Sequence, residues 1–198
     1  MRHLIGVDEA GRGPLAGPVS VGAVLVEENY EILANFPGLN DSKKLSEKNR
    51  ERLFAILEEK AASGEVRFAV EMSSAKMIDT EGIAFAVREA LGRAVRALAP
   101  EPYHISILLD GSLKAPKEYE QKTVIGGDAT VPAIMLASVA AKVLRDRLMV
   151  SLSPQYPEYD FAKHKGYGTK LHYEMLTKHG LSALHRQSFI HLDRRAQK

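Results

Sequence analysis

The chain has 198 residues, 45% of them hydrophobic, with 27 Lys/Arg against 25 Asp/Glu. This suffices for one domain with a sizeable core, and no apolar run of about 18 residues is present to cross a membrane. The absence of cysteine excludes disulfide and thiolate chemistry. With no basic, apolar, small-residue leader ahead of the strand-like "LIGV", it points to the cytoplasm.

Residues 4–8 and 18–27 ("PVSVGAVLVE") predict two strands separated by a Gly/Pro loop. "LSEKNRERLFAILEEKAAS" predicts a helix capped by Ser46, with Leu53 and Leu57 on one face and Gly64 as its stop. "EVRFAVEM" is a third strand. "TEGIAFAVREALGRAVRALAP" reads as one helix, with Ile83, Val87, Leu91 and Val95 in register and Pro100 at its end. "HISILLDG" predicts a buried strand that turns at Asp110-Gly111, and "KTVIGGD" a short strand that turns at Gly126-Gly127-Asp128. "TVPAIMLASVAAKVLRDRLMV" predicts a helix with Thr130 as cap and Pro132 in its first turn. "TKLHYEMLTKHG" predicts a last helix between Thr169 and Gly180.

Alternating strands and helices define an α/β class, a central mixed β-sheet flanked by helices. No repeat, low-complexity tract or linker interrupts it, so residues 1–198 are expected to form a single domain whose basic, helical C-terminal segment starts near residue 151. From Phe161 to Lys198 there are eight Lys/Arg and two Asp/Glu, against nineteen and twenty-three in the rest, and five of the seven histidines fall there. Such a basic end fits either a phosphate-rich partner or a solvated surface.

Three strand-like runs end at acids: "LIGVDE", "ISILLDG" and "KTVIGGD". If neighbouring strands deliver them to one crevice, Asp8, Glu9, Asp110 and Asp128 would repel strongly unless divalent cations neutralised them. An oxygen donor set without cysteine favours Mg²⁺ or Mn²⁺ over zinc. Two such ions about 4 Å apart can activate water against a phosphodiester. Taken singly, Asp110-Gly111 and Gly126-Gly127-Asp128 also read as plain turns. The Asp8-Glu9 pair is harder to read so, because "DEAGRGP" is expected to offer neither a helix cap nor ion-pair spacing.

The stretches "GVDEAGRGPLAGPV", "LNDSKKLSEKNRERL", "LLDGSLKAP", "GGDATVPAIMLASVAAKVLRDRLM", "HKGYGTKLH" and "HRQSF" occur in the order found in bacterial ribonuclease HII, which the chain resembles over roughly residues 4 to 190. The resemblance implies an RNase H-like fold and an endonuclease that cuts RNA paired to DNA, including a lone ribonucleotide within a DNA duplex. It places the four metal-binding, catalytic acids on Asp8, Glu9, Asp110 and Asp128, which hold two Mg²⁺ or Mn²⁺ ions at the scissile phosphate, with Asp8 bridging them. Cleavage 5′ of the ribonucleotide then leaves a 3′-hydroxyl and a 5′-phosphate.

The same resemblance assigns reading of the 2′-hydroxyl to the backbone of Gly11, Arg12 and Gly13, where missing Cβ atoms permit close approach. It assigns Tyr167 to stacking on the sugar of the following nucleotide. Arg12 has a planar fork suited to phosphate. Lys43 and Lys44 precede a helix N-terminus and are candidate phosphate contacts. Ser138 and Lys142 share a helix face; Lys142 either reaches the nucleic-acid backbone or pairs with Asp146, itself the competitor to Asp128 for the fourth acid position.

His164, His172, His179 and His185 have gaps of 8, 7 and 6 and no Cys, which match no zinc finger. Packing, surface or phosphate roles are expected, with His164 near the cleft because Tyr167 is three residues on. Gly82 stands where relatives more often carry Asn. No clamp-binding extension of the archaeal type is seen, so a monomer with no obligate protein partner is expected, acting on RNA/DNA hybrids and ribonucleotide-containing DNA and not on membranes. Ribonuclease HIII is the nearest alternative but normally carries an extra N-terminal domain and a different fourth acid. A non-catalytic hybrid-binding module would not need all four acids. A nucleotide-binding phosphotransferase would need a phosphate loop that the sequence lacks.

Overall fold

A computed structural model describes residues 2–190; the last three bases of the C-terminal segment and the chain end that bears on a clamp lie outside the described residues. In chain order the elements are β1 (His3–Ala10), β2 (Val19–Glu27), α1 (Ile32–Asn35), α2 (Glu47–Ala62), β3 (Arg67–Ser73), α3 (Ala75–Glu81), α4 (Ile83–Leu98), β4 (Ile105–Asp110), β5 (Glu120–Val124), α5 (Gly127–Thr130), α6 (Pro132–Leu152), α7 (Phe161–His164) and α8 (Lys170–His179). The strands form one mixed sheet in the order β3-β2-β1-β4-β5. β1 pairs antiparallel with β2 and parallel with β4, in the register Val7↔Leu109.

β2 is nearly all apolar and buried, as is the middle of β1 from Ile5 to Val7, in keeping with a sheet covered on both faces. On one face Ile5, Val7, Val21 and Ala23 pack with Val87, Leu91 and Val95 of α4. On the other, Val24 and Val26 pack with Leu53, Phe54 and Leu57 of α2 and with Leu136, Val139 and Ala140 of α6. A third apolar group (Leu15, Ala16, Met149, Tyr159, Phe161 and Leu176) joins the C-terminal helices to the loop after β1. Fully burying a Leu- or Phe-sized side chain contributes about 1.5–3 kcal/mol, so the two sheet faces dominate stability.

α6 lies closer to the sheet than ordinary side chains allow. A Cβ on Gly6 would stand 2.2 Å from the Ala133 carbonyl carbon, and one on Gly22 would stand 2.3 Å from the Ala137 oxygen. Gly22 is the residue paired with Asp8 across the β1–β2 ladder. The two glycines thus let the helix backbone down onto the strand beside Asp8, which brings Ser138 and Lys142 of α6 to it.

Several boundaries differ from the sequence reading. The predicted single helix over residues 80–100 is two, α3 and α4, broken at Gly82 with φ +85°. The four-residue apolar spacing sees only the longer helix, whereas α3 has its own cap, Ser74. Ser46 and Thr169 cap α2 and α8 as expected. Thr130 does not cap α6: its hydroxyl donates to the Gly126 oxygen, and α6 starts after Val131 with Pro132 in its first turn.

Candidate active-site cleft

β1 and β4 are parallel neighbours, so Asp8 and Asp110 emerge side by side at the same edge of the sheet. Glu9 follows Asp8 on the strand, and its N–H donates to Asp8 Oδ1 at 2.7 Å. Asp128 is not at a strand end, contrary to the sequence reading: β5 stops at Val124 and Asp128 lies on the short helix α5. It still reaches the same place, because its N–H donates to Asp110 Oδ1 at 3.2 Å.

Asp8, Glu9 and Asp110 line a cleft of about 360 Å³ with Gly11, Arg12, Ser42, Lys43, Arg50, Ser138, Lys142 and Tyr167. Asp8 is 5% exposed. Burial pushes its carboxyl up to about 7; the charges of Glu9 and Asp110 add to the rise, and a hydrogen bond from Ser138 opposes it. Burial also raises Glu9, with Arg12 opposing; contrary to the sequence reading, which saw no ion-pair spacing here, the Arg12 guanidinium pairs with Glu9 Oε1 at 3.3 Å three residues on, across the turn that ends β1. Glu9 Oε2 is buried with no hydrogen-bond partner among the described residues, an arrangement costing about 1–3 kcal/mol or more for a charged group.

Lys43 donates to Asp128 Oδ2 at 2.6 Å. Its loop is tied to α6 through the Ser42 and Ser138 hydroxyls, 2.8 Å apart, and to α2 through Arg50, which donates to the Ser42 and Leu45 oxygens. Of its two alternatives Lys142 takes the ion pair, donating to Asp146 Oδ1 at 2.8 Å, while it also lines the cleft. Asp146 is held by Lys142 and Arg145; neither it nor Asp128 lines the cleft, but Asp128 is bonded to two residues that do, Asp110 and Lys43. Lys44 stands apart, exposed, with its nearest carboxylate Asp41 at 4.0 Å.

Tyr167 is 38% exposed, with Lys142 Nζ 5.0 Å and the Arg145 guanidinium 5.6 Å from its ring centre. His164, expected to contact substrate, does not line the cleft. Its buried ring bonds the Tyr159 oxygen through Nε2 and accepts the Gly166 N–H at Nδ1, so both nitrogens are taken by backbone. It shapes the turn that carries Tyr167.

Arg145 and Arg186 escaped the sequence reading. Both are fully buried, and both spend their guanidinium groups on backbone oxygens of residues 11–18 and 165. Arg186 lies in the "HRQSF" stretch and Arg145 in "GGDATVPAIMLASVAAKVLRDRLM", but neither stretch discloses what the guanidinium faces. A second, smaller cleft adjoins the first through Arg12 and is lined also by Arg88, Ser112 and Lys114.

The donors fit a hard divalent cation: buried and half-buried carboxylates, oxygen only, one oxygen unpartnered among the described residues and the Asp8 carboxyl raised by burial and by its acidic neighbours. As the side chains stand, no three Asp, Glu or His donors among the described residues are gathered around one point, and Lys43 supplies the positive charge at Asp128.

A mixed five-stranded sheet in this order, with acids converging at the edge of its two parallel central strands, is the RNase H-like fold. The ribonuclease HII family model matches residues 5–192. Ribonuclease HII of Endomicrobium trichonymphae is 46% identical, over 93% of this chain and 83% of its own length. The chain belongs to the ribonuclease HII family and is an RNase H-type endonuclease, a phosphodiester hydrolase acting on RNA/DNA hybrids. Among solved structures, ribonuclease H2 of Pyrococcus horikoshii OT3 superposes with a TM-score of 0.71 at 26% identity, over 94% of this chain and 93% of that one. A ribonuclease HIII (Bst-RNase HIII) solved in complex with Mn²⁺ superposes at 0.70 and 22% identity, over 95% of this chain and 67% of that one.

Proposed function

We propose that this chain, acting as a single catalytic domain and a monomer in the cytoplasm, cuts 5′ of single ribonucleotides in duplex DNA as well as within RNA/DNA hybrids, leaving 3′-hydroxyl and 5′-phosphate ends. Its role would be ribonucleotide removal from DNA and RNA-primer removal. The observation that carries this reading is one cleft in which the buried acids adjoin the Gly11–Arg12 backbone and Tyr167.

In this reading Asp8, Glu9, Asp110 and Asp128 hold two Mg²⁺ or Mn²⁺ ions, and the Mn²⁺ complex of the related ribonuclease HIII supports that cofactor class. When bound, the ions supply activation of water and neutralisation of the leaving oxygen. The chain's residues do the rest. Gly11–Gly13 present backbone groups to the 2′-hydroxyl, the one atom that separates RNA from DNA. Arg12, Lys43 and Lys142 face phosphates, and Lys43 leaves Asp128 as substrate and ions arrive. Ser138 lines the cleft with Asp8 and opposes the rise of its carboxyl. Tyr167 gives a flat face for the next sugar, backed by two cations.

The test is an end-labelled DNA duplex with one ribonucleotide, incubated with Mg²⁺, with Mn²⁺ and with EDTA. A single metal-dependent cut 5′ of the ribonucleotide is expected. Cleavage of a long hybrid with none at the lone ribonucleotide would replace this specificity with a ribonuclease HIII-like one.

A further inference from the structure

Residues 184–186 run beside the loop that follows β1. Gly17 N–H donates to the Leu184 oxygen and Arg186 N–H to the Leu15 oxygen, both at 2.8 Å, and Ala16 and His185 form an isolated antiparallel bridge. In extended backbone, consecutive side chains leave on opposite sides. Here both are buried, and each ends on a different element of the cleft.

Arg186 turns toward the loop after β1. Its Nη2 donates to the Gly11 oxygen at 2.7 Å, Nη1 to the Arg12 oxygen at 2.9 Å and Nε to the Gly17 oxygen at 2.9 Å. No peptide in the described chain is cis, and in a trans peptide the N–H points away from its carbonyl. Fixing the Gly11 and Arg12 oxygens therefore turns the N–H groups of Arg12 and Gly13 away from Arg186. Neither N–H meets a protein acceptor among the described residues. Successive N–H groups so aimed form a concavity for an electronegative oxygen. Arg145 closes the loop from beneath, since a Cβ on Gly11 (φ +87°) would stand 2.1 Å from its Nε.

His185 turns the other way. Its Nδ1 accepts the Ser182 N–H at 2.8 Å, so its proton resides on Nε2 and is donated to His172 Nε2 at 3.0 Å. His172 then carries its proton on Nδ1 and donates it to the Tyr167 oxygen at 2.9 Å. The backbone thus fixes each tautomer, and the chain of neutral rings ends on the residue that backs the cleft's aromatic wall.

We infer that His185 and Arg186 are a positioning pair that sets the placement of the Gly11–Gly13 backbone against Tyr167, Arg186 governing recognition of the ribonucleotide and His185, through His172, that of the nucleotide after it. This rests on the junction-reading role proposed above for those two elements. Neither residue touches substrate; each acts through another.

Two variants separate the arms. Arg186→Lys keeps the charge but cannot span three carbonyls. In EDTA, the wild type is expected to bind a DNA duplex with one ribonucleotide more tightly than the same duplex in all-DNA form. Arg186→Lys is expected to lose about tenfold of that preference, the equivalent of one hydrogen bond, with all-DNA affinity unchanged. His172→Gln is expected to keep it and instead, with Mg²⁺, to lower kcat at a lone ribonucleotide relative to a continuous RNA strand. A merely structural role would depress all substrates together.

Folded variants that retain both preferences, or lose all substrates equally, overturn the inference. If Arg186→Lys does not fold, Asp79→Asn serves: Asp79 accepts from Gln187 N, Ser188 N and Ser188 Oγ and so anchors the turn after Arg186. A folded Asp79→Asn protein should lose part of the ribonucleotide preference, and one with full preference overturns the Arg186 assignment. A wild type with no preference for the ribonucleotide duplex overturns the junction-reading role itself, which is a different failure.

Discussion

At the cleft floor Asp8 is buried and Glu9 half-buried, with the buried Glu9 Oε2 unpartnered among the described residues and the Asp8 carboxyl pushed up to about 7. In the C-terminal layer Arg145, Arg186, His164, His172 and His185 are as deeply buried. There, each guanidinium makes three bonds to carbonyl oxygens, and the imidazole nitrogens bond backbone or one another. Burial alone therefore does not mark a functional site. The layer whose polar atoms are satisfied from within is scaffold, and the cleft whose charges are not is built for something that arrives from outside.

The largest effect expected from this contrast is on activity. Asp110→Asn should lower metal-dependent cleavage by more than about 100-fold, the upper end of the loss on disturbing an outer partner of a metal ligand, while circular dichroism and the thermal midpoint stay near wild type. Near-normal turnover in this variant would remove Asp110 from the site.

Stability in EDTA should respond in opposite directions in the two regions. The folded Asp8 carboxyl titrates above its unfolded value of 3.8, so the folded state binds the extra proton between about pH 4 and 7. Asp8 therefore destabilises the fold progressively as pH rises through that window, and fully above it. Asp8→Asn should be more stable than wild type at pH 8 by up to a few kcal/mol, at 1.36 kcal/mol per pK unit, and the advantage should vanish near pH 4. Equal midpoints at both pH values would show that the carboxyl is not strained.

The histidines have the reverse sign and a smaller effect on each ring. Burial lowers His164 and His172, and burial plus His172 lowers His185 to about 4 from its usual 6.5. The unfolded chain takes protons that these rings refuse, so their contribution is complete above pH 6.5 and is lost as pH falls toward 4. Urea unfolding of the Asp8→Asn protein in EDTA should show stability falling across that window, and His185→Gln should flatten the slope. An unchanged slope in His185→Gln would mean that the ring is already charged in the folded state.

The basic C-terminal segment shows why composition misleads here. Its charge excess reads as a phosphate-binding surface, yet Arg186 is fully buried and faces carbonyl oxygens. Those oxygens lie more than 160 residues away in the chain, so no local pattern discloses them. His164, His172 and His185 likewise meet only because α7, α8 and the 182–186 turn fold onto one another, and their gaps carry no period. Asp128 arrives on a helical turn, where the run "KTVIGGD" reads as a strand followed by a turn, because the hydrogen bond from its own N–H to Asp110 holds α5 in place.

The sequence alone determined the sheet-and-helix alternation, the caps at Ser46 and Thr169, and the acids, loop and tyrosine proposed to carry the chemistry, because periodicity, turn residues and donor type are local properties. Only the tertiary structure decided which of these charges are satisfied. Desolvation, tautomer and hydrogen-bond partnership depend on atoms brought together from distant parts of the chain. The approach of α6 to Gly6 and Gly22, and the return of residues 184–186 to the first loop, set those atoms in place.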